Sequence, residues 1–490
     1  MPTRERKDVY KLPAGDNTLE WYGKAVAKMR TRPATDPTSW SYQAGIHGFQ
    51  KENPYWAHVG PVPSPGQQTE YWKQCQHGSW YFLPWHRMYL AYFEQIVAKT
   101  IVDLGGPPGW SLPFWNYSDT SNPNATKLPP AFIAGTAASN PLQMPAAGQY
   151  PGRRHNFVEH KDVTLAALRT LVFQGAPTGV PPGFGGPVTG FSHSGKTHGD
   201  LEHLPHDMVH VDIGGAMGDP RTAGLDPIFW LHHANIDRLW QVWLNLGHSR
   251  HNPVDTAWLN FAFDFHDATG TPKALKVAEV LDTTKVLGHG YSYQGVPTSP
   301  PATAAAETMF ANKLFAAAPG DLDDGMPPEV AAATDTSLTL DRSNTTTSLQ
   351  LISSGRKTGS LHRFNTALPG LVGATATANT SHVYLNFENI TGKGVPPAYD
   401  VYLNLPDENR PDDAHFAGAL PFFGVEAASS KDSQHNGSGQ HYVFDVSDIV
   451  STLKENSQWD PQHLKVHLQP RETPEPGCTI EIGRISLYVK

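Results

Sequence analysis

Between Asp226 and Gly247 runs a segment, Pro227-Ile228-Phe229-Trp230-Leu231 through Trp243-Leu244, that is apolar on nearly every side. A helix of that kind has no face to give to water and has to lie deep in its domain. It nevertheless carries His232 and His233 inward. Asp226 is placed to cap its N-terminus, Pro227 suits the first turn, where a missing N–H costs nothing, and Gly247 is a natural stop. A buried histidine needs a partner for each ring nitrogen, so such a pair is hydrogen-bonded core unless one ring binds a metal. Neighbouring helical residues point about 100° apart, so the two rings are not expected on one ion.

More imidazoles share that setting. His206-Asp207-Met208-Val209-His210 places two histidines one helical turn apart on one face. His47, Cys75-Gln76-His77 and His86 stand in the first quarter of the chain. His86 sits beside a broad apolar helical face made by Trp85, Met88, Tyr89, Tyr92, Phe93, Ile96 and Val97. Helices are expected to begin near Leu19, Pro84 and Pro227. The two constellations read as two three-histidine metal sites. Neutral imidazole suits copper and zinc, and sets without carboxylate or thiolate point away from magnesium, calcium and iron–sulfur chemistry. A dizinc hydrolase is disfavoured because its usual bridging carboxylate is missing. A coupled dicopper centre is the favoured reading.

The 490 residues, 39% hydrophobic and 10% aromatic, supply a sizeable core and allow two or three domains. Net charge is −9, and no basic run could neutralise a phosphate backbone, which argues against nucleic acid. No apolar leader core and no run of about 18 apolar residues is seen, so a soluble cytoplasmic protein without a membrane partner is expected. Two cysteines, Cys75 and Cys478, are too few for a disulfide framework.

Residues 1–296, rich in Trp, His and turn residues, are expected to form a helical-bundle catalytic domain housing the dicopper centre. Residues 297–347 shift to Pro, Ala, Thr and Ser and read as a linker, with Gly320-Asp321-Leu322-Asp323-Asp324-Gly325 a candidate for proteolysis. Period-two patterns follow in 348–490: Val383/Leu385/Phe387, Tyr399/Val401/Leu403, Leu464/Val466/Leu468 and Ile480/Ile482. The fold class is thus mainly α, followed by a smaller all-β, sandwich-like or barrel-like C-terminal domain. The apolar phase switches to Ile485/Leu487/Val489 after Gly483, which predicts a bulge there.

On these residues the chain resembles the type-3 copper proteins: tyrosinases, catechol oxidases and haemocyanins. Cys75-Gln76-His77 leading to Trp80-Tyr81-Phe82-Leu83-Pro84-Trp85-His86-Arg87 is similar to the family's copper A segment. Asp226 through Trp240 is similar to its copper B segment. Leu112-Pro113-Phe114-Trp115-Asn116-Tyr117 and Tyr291-Ser292-Tyr293 resemble further signatures, and Tyr399-Asp400-Val401-Tyr402-Leu403-Asn404 resembles the module that shields plant polyphenol oxidases. The resemblance implies that His47, His77 and His86 hold copper A and that His206, His210 and His233 hold copper B, with His232 behind them. It implies a thioether between Cys75 and His77; the alternative is a small buried residue. The remaining histidines, among them His155, His160, His193, His198, His203, His248, His251 and His266, are read as surface or structural groups.

The implied chemistry is ortho-hydroxylation of monophenols and oxidation of o-diphenols to o-quinones by O2. Small phenols would be the substrates, two copper ions the cofactor, and a homo-oligomer is compatible. A catechol or o-aminophenol oxidase and a haemocyanin-like oxygen carrier are the alternatives. A phenol with a pKa near 10 must lose a proton to bind copper, and Glu202 and Asp207 are the candidate holders of a basic water. Asp207 could equally be a solvated carboxylate at a helix start. Phe229 is expected over the metal pair or in plain core, and Val211 and Met217 on the walls of the substrate entrance. Asp237-Arg238 reads as a structural ion pair. Pro421-Phe422-Phe423-Gly424 offers an apolar plug for a shielding domain, or else core.

Overall fold

The computed structural model describes residues 4–175, 181–191, 197–298, 328–340, 342–352, 382–431 and 437–490. The chain divides into two compact units, Met1–Phe173 with Leu204–Gly320 and Gln174–His203 with Asp321–Lys490. In the first unit a short strand, β1 (Arg4–Arg6), precedes helices α1 (Thr18–Arg30), α2 (Trp40–His47), α3 (Phe82–Asp103), α4 (Met208–Ile213) and α5 (Pro227–Asn245). The hairpin β2 (Ala262–His266) and β3 (Pro272–Lys276) follows, then β4 (Tyr291–Tyr293), which pairs in parallel with β1. No described helix is long and apolar enough to cross a membrane.

Helix α5 starts and stops where its sequence requires. Asp226 Oδ1 accepts from the Ile228 N–H at 3.1 Å while the Arg153 guanidinium clasps the same carboxylate, and Gly247 turns the chain out with φ +62°. Helix α3 begins at Phe82, and its first half is buried on every side rather than on one face, because Arg87 and Glu94 are neutralised inside the core. Helix α2 has no apolar period that would announce it, since all but one of its eight residues is buried. Its signal is the cap: Ser39 Oγ accepts from the Tyr42 N–H at 3.0 Å. Gly45 lets α2 lie against Trp72, whose ring atoms stand 2.6 Å from where a Cβ would be.

Among the described residues the second unit holds one sheet of nine strands: β5 (Glu329–Ala333), β6 (Leu338–Leu340), β7 (Thr345–Leu351), β8 (Val383–Lys393), β9 (Tyr399–Leu403), β10 (Phe416–Leu420), β11 (Gln440–Asp445), β12 (Leu464–Pro470) and β13 (Thr479–Val489). Their order is β10-β9-β12-β7-β5-β13-β8-β11, with β6 added to β13. The end strands meet. At Gly418 on β10 (φ +147°) a Cβ would lie 2.5 Å from the Phe444 ring on β11, so the sheet is curled nearly shut around Leu385, Phe387, Val401, Leu403, Leu468 and Leu487. This is the expected β-rich domain.

Three boundaries differ from expectation. Strands β5 and β6, and the start of β7, fall inside the segment assigned by composition to the linker. Ala332 packs in the core, and Thr345–Thr347 are β-branched residues suited to a strand although their composition looks like linker. Residues 299–327 of that segment, including Gly320–Gly325, lie outside the described residues. Residues 174–203, expected in the first domain, group with the second unit: Thr197 bridges to His441, and the His203 ring lies 5.0 and 5.3 Å from those of Tyr442 and Phe444. Gly483 marks a kink shared by two strands rather than a one-strand bulge. Ile482 pairs Ile390 and Arg484 pairs Glu388 in unbroken register, Asn389 adopts φ +54°, and a Cβ at Gly483 would sit 2.9 Å from that of Asn389.

A buried ion cluster ties the first unit together. The Arg6 guanidinium donates to Glu94 at 2.7 Å and to Asp237 at 3.3 Å, and Arg87 donates to the other oxygen of Asp237. The hydroxyls of Tyr291 and Tyr293 each donate to Asp237 at 2.6 Å, which is what the Tyr-Ser-Tyr motif on β4 is for. The guanidiniums also lie over rings, Arg6 over Tyr291 and Arg87 over Trp240, each at 3.7 Å. Asp237 therefore does not pair with its neighbour Arg238, which bonds Asn235 at 3.0 Å. Adjacent helical positions diverge, whereas Arg6 and Arg87 arrive from other elements.

Removing Asp237 strands the buried Arg87 and leaves Arg6 with Glu94 as its one carboxylate, so Asp237→Ala should lower stability by about 3–5 kcal/mol in chemical denaturation. Lys24→Ala, which breaks an exposed pair with Glu20 on α1, should change it by less than about 0.5 kcal/mol. Equal losses from the two changes would refute the central place given to Asp237.

Candidate metal centre

The first histidine set comes from three separate places. His47 ends α2, His77 lies in the loop before α3, and His86 is in the first turns of α3. Their ring centroids form a near-equilateral triangle with sides of 5.2, 5.5 and 5.4 Å. Cys75 joins them: one ligand atom from each of the four residues lies within 4.8 Å of the others. Its Sγ is 3.6 Å from His77 Nδ1 and 3.9 Å from His86 Nε2.

The second set is His206, His210, His232 and His233, again with one donor atom apiece within 4.8 Å. His206 precedes the short helix α4, His210 is on it, and the last two ride on α5. His210 Nε2 and His233 Nε2 approach to 3.3 Å. Both histidines of the adjacent pair enter the cluster, although helical geometry predicts that they diverge. The Tyr117 hydroxyl stands 3.2 Å from His232 Nδ1, and the His232 ring stacks 5.3 Å from that of His206. The sequence singled out the motif ending in Tyr117 but not this partnership, which joins residues 115 apart in the chain. The two sets face each other, with the His86 and His233 rings stacked at 4.6 Å and 15°.

Protonation and orientation suit metal binding. Carbonyl oxygens only accept, so His47 Nδ1 donates to Pro220 O, His86 Nδ1 to Phe82 O and His210 Nδ1 to Met217 O, each at 2.8 Å. In each neutral ring that leaves Nε2 as a lone pair. His206 Nδ1 is fixed the same way by Asp207 Oδ1 at 2.9 Å. Burial, above all, lowers the basicity of these rings. His47 falls to about 4 and His232 to about 3, while His86, His206, His210 and His233 lie well below the ordinary value, helped by mutual repulsion. The buried Nε2 atoms of His47 and His232 meet no hydrogen-bond partner among the described residues. Neutral, back-tied imidazoles converging on two points, without a carboxylate among them, fit two copper ions.

Other candidate residues fall as follows. The Phe229 ring lies 4.8 Å from that of His47 and 4.2 Å from that of His233, so it touches both sets. Asp207 is fully buried against His206 and is no solvated helix-start carboxylate. Glu202 is buried too, its carboxylate 3.8 Å from His198 Nδ1. Met217, expected on an entrance wall, has a fully buried side chain and acts through its carbonyl on His210; Val211 is buried on α4. Among the described residues no other group of three or more possible ligands is found, and His193 lies outside them.

Residues 37–170 and 135–246 match the common central domain of tyrosinase, 252–302 match the polyphenol oxidase middle domain, and 327–490 match a domain of unknown function. Tyrosinase HcTyr1 from Hahella sp. (strain CCB-MM4) is 38% identical over 99% of both chains. The latent form of apricot (Prunus armeniaca) chloroplastic polyphenol oxidase is 32% identical over 58% of this chain, which spans 47% of that relative's length. Latent apple tyrosinase shares the fold, with a TM-score of 0.59 at 24% identity over 99% of this chain and 97% of its own. The chain belongs to the tyrosinase and polyphenol oxidase family, and is a type-3 copper oxidoreductase whose cofactor is a pair of copper ions.

Proposed function

We propose that the protein is a tyrosinase, which hydroxylates monophenols at the ortho position and oxidises the resulting o-diphenols to o-quinones. The observation that carries this reading is the pair of facing imidazole sets, with the rings of Phe229 and Phe82 each lying against members of both. The full-length likeness to a protein named tyrosinase supports it. In this reading His47, His77 and His86 hold one copper, and His206, His210 and His233 hold the other. The copper pair, when bound, supplies two electrons to O2 and a Lewis-acid site for the substrate oxygen. The chain supplies the rest. Phe229 gives the phenol ring an apolar surface, while the carbonyls of Pro220, Phe82 and Met217 hold three imidazoles in the ligating tautomer. Asp207 does the same for His206 and is a positioning residue, acting through that ring. Glu202, four residues earlier, then accepts the phenolic proton through a water. The Cys75 sulfur beside His77 would bond to a ring carbon of that imidazole, its S–H and the ring C–H being lost as two protons and two electrons that O2 would accept at the copper pair, and the resulting thioether would lock the ring. An oxidase confined to catechols or o-aminophenols would keep the same ligands and lack the first step.

The ligand assignment is tested one histidine at a time. Alanine at any of His47, His77, His86, His206, His210 or His233 should abolish turnover, whereas His232→Ala should retain two coppers by metal analysis. A His233→Ala protein that keeps both ions, beside a His232→Ala protein that loses one, would reverse the choice between neighbours.

For the proton, Glu202→Gln should slow monophenol hydroxylation more than diphenol oxidation, because the diphenol is the easier acid. Asp207→Asn should instead weaken copper binding by roughly 10–100-fold and depress both activities alike. Parallel losses on both substrates with Glu202→Gln would take that carboxylate out of proton transfer.

The second unit is proposed to shield the copper centre and restrain its activity. Phe422 does not supply the expected plug, because it packs in the core of its own unit, 5.6 Å from the Tyr399 ring. Limited proteolysis between the units should raise diphenol oxidation at constant copper content. Full activity before cutting would leave the second unit a stabilising role alone.

A further inference from the structure

Two of the back-tying carbonyls belong to one short loop. Pro220 O holds His47 and Met217 O holds His210, three residues apart in the stretch 214–222 that follows α4. The first of these imidazoles belongs to one histidine set and the second to the other. The loop is braced from several sides. Gly214 and Gly215 adopt φ +59° and +58°, and a Cβ on Gly215 would stand 2.5 Å from the Gly152 carbonyl, to which the loop is also tied by the Ala216 N–H at 3.0 Å. The Thr222 hydroxyl reaches back to Ala216 O at 2.7 Å and Asp219 O at 3.2 Å. Arg221 grips Asp219 through Nε and a terminal nitrogen, and Trp56 Nε1 donates to Arg221 O at 2.7 Å. Gly48, next to His47, allows the close approach, since a Cβ there would lie 2.8 Å from Pro220 O.

We propose that this loop is a positioning element shared by both copper sites, so that ordering it for one ion prepares the other. The inference rests on the ligand reading given above. A hydrogen-bonded imidazole is presented to a metal in one tautomer and one orientation, and loss of the outer partner typically weakens binding by about 10–100-fold. Here the outer partners of two ions are mechanically one object. Whatever the first ion contributes toward fixing the loop is not required again from the second, which is positive coupling between sites. It follows that a defect in the bracing, remote from any ligand, should weaken both sites together.

The apoprotein of the full chain, titrated anaerobically with Cu(I) against a competing chelator, tests this. The wild type should take up two equivalents in one cooperative transition. Thr222→Val keeps the side-chain shape but removes the brace on Ala216 O, and should weaken binding at both sites by about tenfold, with Thr222→Ser restoring it. Arg221→Ala, on the more exposed side of the loop, is the second variant, and the melting temperature of each apoprotein reports whether it is folded. Loss confined to one site, or an unchanged curve in both folded variants, overturns the shared-loop proposal. His47→Ala and His210→Ala in the same titration must each lose an ion. If they do not, the ligand reading itself fails, an outcome distinct from failure of the loop.

Discussion

The structure turns on the desolvation of six imidazoles, those of His47, His86, His206, His210, His232 and His233. Out of water each ring favours its neutral form, the form with a lone pair to give, and a converging set repels any proton that would occupy that lone pair. Such a cluster is unfavourable to bury unless every other ring nitrogen is satisfied and every ring is held still. For five of the rings the helices and loops of the first unit answer that demand. They bring backbone carbonyls to His47, His86 and His210, a carboxylate to His206 and a phenol to His232.

What the sequence made legible is what depends on local pattern. Helix α5 could be read from end to end because its cap, its proline and its stop are written beside it, and because an all-apolar helix has only one place to go. The histidines of the two clusters were recognisable from their company. Helix α2 was missed, although it delivers His47, because burial on all sides erases the periodicity by which helices are recognised; Ser39 was the remaining sign. Strands β5 to β7 were hidden by small and polar residues that pass for linker.

Long-range partners were not legible at all. Asp237 suggested Arg238 because the two are adjacent, whereas its true partners Arg87 and Arg6 lie 150 and 231 positions away. Tyr117 and His232, or Pro220 and His47, are similarly joined only by the fold. These contacts carry no short-range signature, since a carbonyl that orients an imidazole can belong to any residue type. The same holds for Gly483, whose local pattern announced an irregularity but not that Asn389 on the neighbouring strand bends with it.

The parallel pairing of β1 with β4 gives the first unit an order of assembly. Arg6 is made well before its partners: Glu94 follows 88 residues later, the carboxylate of Asp237 231 residues later and the hydroxyl of Tyr293 287 residues later. Until β4 is made, the strand that bears this guanidinium, which ends fully buried, has no partner strand on which to dock. The nascent chain can collapse around α3 and α5 beforehand, but closure of the unit waits for its last strand. The two histidine clusters, carried by elements that precede β4, thus lie in a unit that is completed only by its last strand.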